Sequence, residues 1–209
     1  MSATVERNFP SLDSLPVEIL YRILDHVDGQ TILLSFRNIC KKFKAIANTY
    51  NRYELDLTAI SNADFHLACR TIRPEDLISL TLSNGDKTPN QIDLFFSLFA
   101  IDQLIRLRSL TLLQVYNNNN DELQTLLHQI FPVCPLTSLS IKSKTGDQLH
   151  SQSLLLSIIT QSTFRRLDFD IGCREFDKIP WPNNWTFVCI SIISNQFFHT
   201  HHHLFISKL

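Results

Sequence analysis

The chain has 209 residues, a formal net charge of −1 at pH 7 and 19% charged residues, so it carries no long-range field to attract nucleic acid or an anionic membrane. Its apolar runs, such as 154–159 and 187–193, fall far short of the roughly 20 residues needed to span a bilayer. The N-terminus lacks the apolar core of a secretory signal. We therefore expect a cytoplasmic or nuclear protein, with neither nucleic acid nor membrane as a partner.

Two helices are predicted near the N-terminus, after a disordered segment at 1–11. The first begins near Pro16, because the missing N–H of proline would be unpaired in a first helical turn, and Glu18 suits the positive end of the helix dipole. Its apolar stripe comprises Ile19, Leu20, Ile23, Leu24 and Val27. Asp28-Gly29 ends this helix, and Asp28 can cap a second one. The apolar residues of that second helix are Leu33, Phe36, Ile39, Cys40, Phe43 and Ile46.

These helices resemble the F-box, whose consensus opens with Leu-Pro-x-Glu-Ile-Leu and closes with an apolar helix ending near Val-Cys-basic-x-Trp. Residues 15–20 match the opening, whereas Phe43 stands where the family usually has tryptophan and Val27 where leucine is common. The resemblance implies docking onto the Skp adaptor of a cullin-RING ubiquitin ligase. The adaptor-facing residues that it implies are Leu15, Pro16, Ile19, Leu20, Ile23 and Leu24. Alternatively, the two helices merely close the core of their own domain.

A weak internal repeat organises the chain beyond residue 50. Four segments fit the template apolar-x-x-apolar-x-apolar, and their central leucines are about 30 residues apart, close to the period of leucine-rich repeats. The four segments are Leu77–Leu82, Leu107–Leu112, Leu136–Ile141 and Phe164–Phe169. Weaker copies centred on Leu55 and Val188 precede and follow them. The repeat predicts six strands.

Helical spacing separates the strands, as strand-then-helix units require. The three predicted helical stretches are centred on Phe95, on Leu127 and on residues 154–159. None could bury its apolar face alone, so stacked neighbours would supply the core. The alternative is an ordinary α/β domain with leucine-rich strands.

This region resembles the leucine-rich repeats that often follow an F-box in ligase substrate receptors. The asparagine of the standard repeat is replaced in the four best units, by Gly85, Val115, Lys144 and Gly172. The resulting fold class is α/β: a helical F-box followed by a short irregular arc of strand-helix units on a parallel sheet. The predicted divisions are 1–11, the F-box at 12–50, the repeats at 51–193 and a C-terminal tail at 194–209.

Residues flanking each central leucine should point to the open face of the sheet. They are Glu54, Asp56, Ser79, Thr81, Ser109, Thr111, Ser138, Ser140, Arg166 and Asp168. The charges of Arg166, Asp168 and Asp170 on one strand predict a target-binding end. Alternatively, serine and threonine are simply acceptable solvent-facing strand residues.

Signatures of catalysis are scarce. Four glycines, none in a Gly-x-Gly string, argue against a phosphate-cradling loop. Five scattered cysteines without a Cys-x-x-Cys pair indicate buried thiols. The histidines at 199–203 lack an accompanying carboxylate or cysteine in metal-ligand spacing, and indicate either a solvated tail or a strand added to the sheet.

The sequence thus predicts a substrate receptor of a ubiquitin ligase, with no catalytic residue, metal or cofactor of its own. Its partners would be the Skp-type adaptor, through it the cullin-RING ligase, and a protein target whose identity the sequence does not reveal. Two alternatives remain: an interaction scaffold that never meets the adaptor, and a metal-dependent hydrolase using the C-terminal histidines.

Overall fold

The computed structural model describes residues 11–115, 120–143, 164–170, 187–193 and 201–207, with backbone alone at 120–122, 143, 169–170 and the last two ranges. The predicted disordered segment, apart from Ser11, lies outside these residues, as does the predicted helix at 154–159. Within the described residues no helix is long and apolar enough to cross a membrane.

The N-terminal part is helical. A 3-10 turn at Leu12–Ser14 precedes α1 at Val17–Leu24, so the predicted start near Pro16 is confirmed. Asp28 caps the next helix as predicted, its carboxylate accepting a hydrogen bond of 2.8 Å from the Thr31 amide. The remaining elements are α2 at Gly29–Leu34, a 3-10 turn at Phe36–Asn38 and α3 at Lys41–Thr49.

The prediction of one continuous second helix is therefore wrong. The Asn38 side chain donates to the Leu34 carbonyl at 2.8 Å, satisfying a group that the next helical turn would otherwise bond. Cys40 then adopts an extended backbone with φ −157° and ψ 170° before α3 begins. The apolar spacing survives this break because Phe36 and Phe43 still meet, stacked with ring centroids 4.5 Å apart.

Among the described residues, seven strands form one sheet in chain order, one more than the repeat predicts. Their bounds are β1 Tyr53–Asp56, β2 Leu77–Ser83, β3 Ser109–Val115, β4 Ser138–Ser143, β5 Arg166–Asp170, β6 Phe187–Ile193 and β7 His201–Ser207. The first six are parallel, and β7 adds an antiparallel edge within the predicted tail. Helices α4 (Asn62–Thr71), α5 (Gln91–Leu98) and α6 (Asn120–Ile130) connect successive strands.

The predicted pairing of the central leucines is confirmed across the first five strands. Their central leucines are paired in one continuous row, namely Leu55, Leu80, Leu110, Leu139 and Leu167. Each of them is buried, and Leu110 and Leu139 are fully so, as the register requires. In β6, however, Ile190 and not Val188 pairs with Leu167, so the predicted register of the last unit is wrong by two residues.

Helix α4 was missed by the sequence analysis. Its signal is present: Ser61 and Asp64 form a cap, in which the Ser61 hydroxyl accepts from the Asp64 amide at 3.1 Å. Phe65, Ala68 and Cys69 then recur at helical spacing and are all buried. The strand template does not describe this segment, because its apolar residues follow helical spacing.

A buried side-chain amide pairs with backbone groups at the ends of β1 and β2. The Gln91 side chain is fully buried, accepts from the Ser83 amide at 2.8 Å and donates to the Leu57 carbonyl at 2.9 Å. Close by, the side-chain Oδ1 of Asn84 accepts a hydrogen bond from the Ile92 amide, which helps to fix the start of α5. These bonds satisfy backbone groups where β1 and β2 end, a role that sequence spacing alone did not assign to Gln91.

The helices and the sheet share one apolar core. At the junction α2 lies against β1, where the Gln30 side chain donates to the Asp56 carbonyl. The Tyr53 hydroxyl donates to the Ala47 carbonyl at 2.7 Å, tying β1 to the end of α3, and burial raises the pKa of Tyr53 to about 12. The helical part therefore has a defined position relative to the sheet.

Candidate partner-binding surfaces

Helix α1 has one buried and one open face. Leu20 and Leu24 lie in the core, with 0% and 1% of their surfaces exposed. Ile19 is 41% exposed, and Ile23, one turn further along the same face, is half-buried. Pro16 is exposed and Leu15 half-buried at the start of this face.

This geometry corrects part of the predicted adaptor surface. Leu20 and Leu24 cannot contact a partner in this conformation, because they pack inside the chain's own core. An amphipathic pattern identifies the apolar stripe of a helix but does not say which of its residues lie at the margin. The predicted residues that remain accessible are Leu15, Pro16, Ile19 and Ile23.

Three further exposed apolar residues belong to the same helical part and were not predicted. Leu12 and Val17 flank the start of α1, and Ile39 is 64% exposed. Helical spacing had placed Ile39 inside, but the break before α3 turns it outward. An apolar surface of this kind, rimmed by polar residues, is typical of a protein-interaction site.

Side-chain bonds hold this surface in place. The Lys42 ammonium of α3 donates hydrogen bonds to the backbone carbonyls of Asp13 and Leu15, the latter at 3.0 Å. The hydroxyls of Tyr21 and Thr49 are 2.7 Å apart and link α1 to α3. The segment that carries the Leu-Pro motif is thus anchored to α3.

The open face of the sheet is lined as the register predicts. Its middle carries half-buried hydroxyl groups: Ser79, Thr81, Ser109, Thr111, Ser138 and Ser140. On β5 the Arg166 side chain is exposed, and the Asp168 carboxylate lies 3.9 Å from the Lys142 ammonium. Asp170 lies on β5 in register with Lys142, but its side chain is outside the described part.

Two of the three described cysteines are buried thiols of low reactivity. Burial raises the pKa of the Cys69 thiol to about 12 and that of the Cys134 thiol to about 11, so both stay protonated near neutral pH. Cys40 is half-buried. Among the described side chains, no group of three or more histidine, cysteine or acidic residues is placed to hold a metal ion. The side chains of His201–His203 lie outside this description.

A comparison with curated proteins gave no match to the chain. A comparison with protein-family models matched residues 12–55, the three helices together with most of β1, to the F-box domain. F-box domains bind Skp-type adaptors within cullin-RING ligases. The chain therefore carries an F-box domain at residues 12–55, followed by a sheet of mainly parallel strands with connecting helices.

Proposed function

We propose that this chain is the substrate-recognition subunit of a cullin-RING ubiquitin ligase acting in the cytoplasm or nucleus. The F-box match at 12–55 carries the proposal. The accessible apolar face of α1 supports it, because an adaptor needs an apolar surface to bury. In this proposal the ligase partners supply all bond chemistry, and the chain supplies two binding surfaces.

The adaptor surface comprises Leu15, Pro16, Ile19 and Ile23, to which we add Val17 and Ile39. Burying a leucine-sized side chain is worth ~1.5–3 kcal/mol, so losing one such contact weakens binding by more than tenfold. Leu20→Asp does not test this surface, because a charge at a fully buried position would disrupt the chain's own fold.

Co-purification of the Skp adaptor with full-length variants tests the proposal. Ile19→Asp should abolish adaptor capture. Its matched control is Ile105→Asp, which makes the same change at an isoleucine that is 56% exposed and lies just before β3, away from α1. Unchanged capture by the Ile19 variant, or equal loss in both variants, would contradict the assignment.

The target surface is the open face of the sheet, whose units we propose to be irregular leucine-rich repeats. The paired row of central leucines at about 30-residue spacing supports this. We place target contacts at Arg166, Asp168 and Asp170. Arg166→Glu should abolish target capture and leave adaptor binding intact. Target capture would be measured by crosslinking the purified chain in lysate. Crosslinks confined to the helices behind the sheet would contradict this placement.

A second candidate is an interaction scaffold that does not meet the adaptor. The packing of α2 against β1 favours it, since the F-box helices do cover part of their own sheet. The two candidates differ in one observable. A scaffold would bind its partner equally well with Ile19→Asp and would not retain the Skp adaptor.

A further inference from the structure

A recess of about 610 Å³ lies where the F-box helices meet the open face of the first two strands. One wall is the turn between α1 and α2, and the other is formed by the outward residues of β1 and β2. The volume falls within the range of roughly 300–1,000 Å³ that is typical of ligand sites. The recess is continuous with the hydroxyl-lined face, because Ser79 and Thr81 belong to both.

The charge of this recess is predominantly negative. Four carboxylates line it, belonging to Asp25, Asp28, Glu54 and Asp56, together with the guanidinium of Arg52 and the imidazole of His26. Arg52 is already engaged, since it pairs with Asp25 at 3.1 Å and lies over the Tyr50 ring. Asp25 also accepts a hydrogen bond from the Tyr50 hydroxyl.

The remaining carboxylates differ in what they can offer a partner. Asp28 is committed to capping α2. Asp56 accepts one hydrogen bond, from the Thr58 amide, on its Oδ1 atom. Glu54 is exposed and forms no ion pair with any described residue. Glu54 and Asp56 are therefore the two groups best placed to receive a cation.

The recess is also partly apolar. Val27 and Ile78, both half-buried, contribute to its walls beside the carboxylates. A lysine or arginine side chain has the matching division, an aliphatic stem that packs on apolar surface and a charged end that needs a carboxylate. Arg52 shows the same chemistry at this rim, with an aromatic ring below and a carboxylate beside its guanidinium.

We propose that this recess receives an arginine or lysine side chain from an extended segment of the target protein that lies across the sheet. This inference rests on the proposed function, and it adds a basic residue to the requirements on the target. The recess lies at β1 and Arg166 at β5, four strand spacings away, or about 19 Å. The recess and Arg166 thus lie at opposite ends of the open face.

The test is an NMR titration of the isotope-labelled full-length chain with the peptide acetyl-Gly-Arg-Gly-amide. Its control is the same peptide with citrulline, which keeps the shape of arginine and removes the charge. We expect amide shifts at 26–28, 54–56 and 78–81 with the arginine peptide, weakened by added salt, and none with citrulline. Equal shifts with citrulline, or shifts from acetyl-Gly-Glu-Gly-amide at the same residues, would overturn the proposal.

Variants of the recess test which residues bind the arginine peptide. Glu54→Gln with Asp56→Asn should weaken arginine-peptide binding by about tenfold or more, because it removes both receiving charges. Thr81→Lys places a cation in the recess from β2, beside Asp56 on the neighbouring strand, and should block the peptide as well. Asp93→Asn with Asp102→Asn is the matched control, because it removes two exposed carboxylates that lie outside the recess, and it should leave binding unchanged. Retained binding in both recess variants, or loss of binding in this control, would contradict the inference.

Adaptor co-purification with the same variants keeps this inference distinct from the proposed function. The recess variants should capture the Skp adaptor normally, because Glu54 and Thr81 lie away from Ile19. Failure of the unmodified chain to capture the adaptor would overturn the proposed function, whereas the peptide titration decides the recess.

Discussion

The F-box helices and the sheet share one core but expose different chemistry. Around α1 the accessible residues are large and apolar, with Ile19 and Ile39 among the most exposed. On the sheet they are hydroxyls in the middle and charges at both ends. An apolar surface gives affinity through burial, whereas a polar surface mainly gives specificity. The contrast fits one constant partner at the helices and a selected one at the sheet.

The largest effects should come from the shared core. Leu20→Ala and Leu110→Ala remove packed methyl groups from fully buried sites, one in each region, and should each lower the free energy of unfolding by about 2–5 kcal/mol. Chemical denaturation followed by circular dichroism measures this. If the core is continuous, both variants should shift a single transition.

Surface neighbours provide the controls for these two variants. Ile19→Ala and Ser109→Ala should change stability by only about 0.5 kcal/mol. Two separate transitions, one sensitive to Leu20 and the other to Leu110, would instead show that the two regions unfold independently. Hydrogen exchange that found helix at 107–112 would contradict the strand register itself.

The next largest loss of stability should come from Gln91, whose buried amide lies at the ends of β1 and β2. Gln91→Met keeps the volume but leaves the Leu57 carbonyl and the Ser83 amide without their partner, at about 1–3 kcal/mol for each group left unsatisfied. Gln103→Met, an exposed change whose side chain accepts only a 3.3 Å bond from the Ala100 amide, is the control. Equal stability of the two variants would show that Gln91 does not support the sheet.

Gly29 tests the contact between the two regions. A methyl group added there would lie 2.5 Å from both the Glu54 carbonyl oxygen and Leu55 Cδ2. Gly29→Ala should therefore destabilise by about 1–3 kcal/mol, although alanine is otherwise the better residue in a helix.

The matched control for that change is Gly85→Ala. There the added methyl would meet the movable end of the Gln114 side chain, at 2.7 Å, and not backbone. This variant should cost much less in the same unfolding experiment. A Gly29 variant as stable as the Gly85 variant would mean that α2 does not pack closely against β1.

The smallest effect concerns the cap of α2 and depends on pH. Burial would raise the pKa of Asp28, but hydrogen bonds from the Thr31 side chain and backbone, and from neighbouring amides, outweigh it and hold the pKa below 3.8. The carboxylate therefore stabilises the fold above pH 3.8, and this contribution is lost as the pH falls through the lower pKa of the folded chain.

Asp28→Ala should thus cost about 0.5–2 kcal/mol near pH 7 and progressively less in acid. Ser61→Ala removes the hydroxyl cap of α4 and provides a control whose capping atom does not titrate. Unfolding curves of the two variants, recorded near pH 7 and in acid, give the free energy lost in each. A loss for Asp28→Ala that stays constant with pH would contradict the capping role of its charge.

The sequence by itself determined the features that depend on local spacing. The Leu-Pro-x-Glu-Ile-Leu motif indicated the F-box, Asp28 was identified as a cap, and the leucine template placed the first five strands in register. Alternation and capping act between near neighbours, so they can be predicted without knowing the fold. The Ser61 cap belongs to the same class and could have indicated α4.

Only the tertiary structure decided which apolar residues stay accessible. Leu20 and Ile19 are adjacent and equally apolar, yet one is in the core and the other on the surface, because α3 and the shared core cover only one side of α1. The outward turn of Ile39, the pairing of Gln91 and the recess beside Glu54 likewise depend on groups distant in sequence. Such contacts follow from how elements pack, which short-range spacing does not encode.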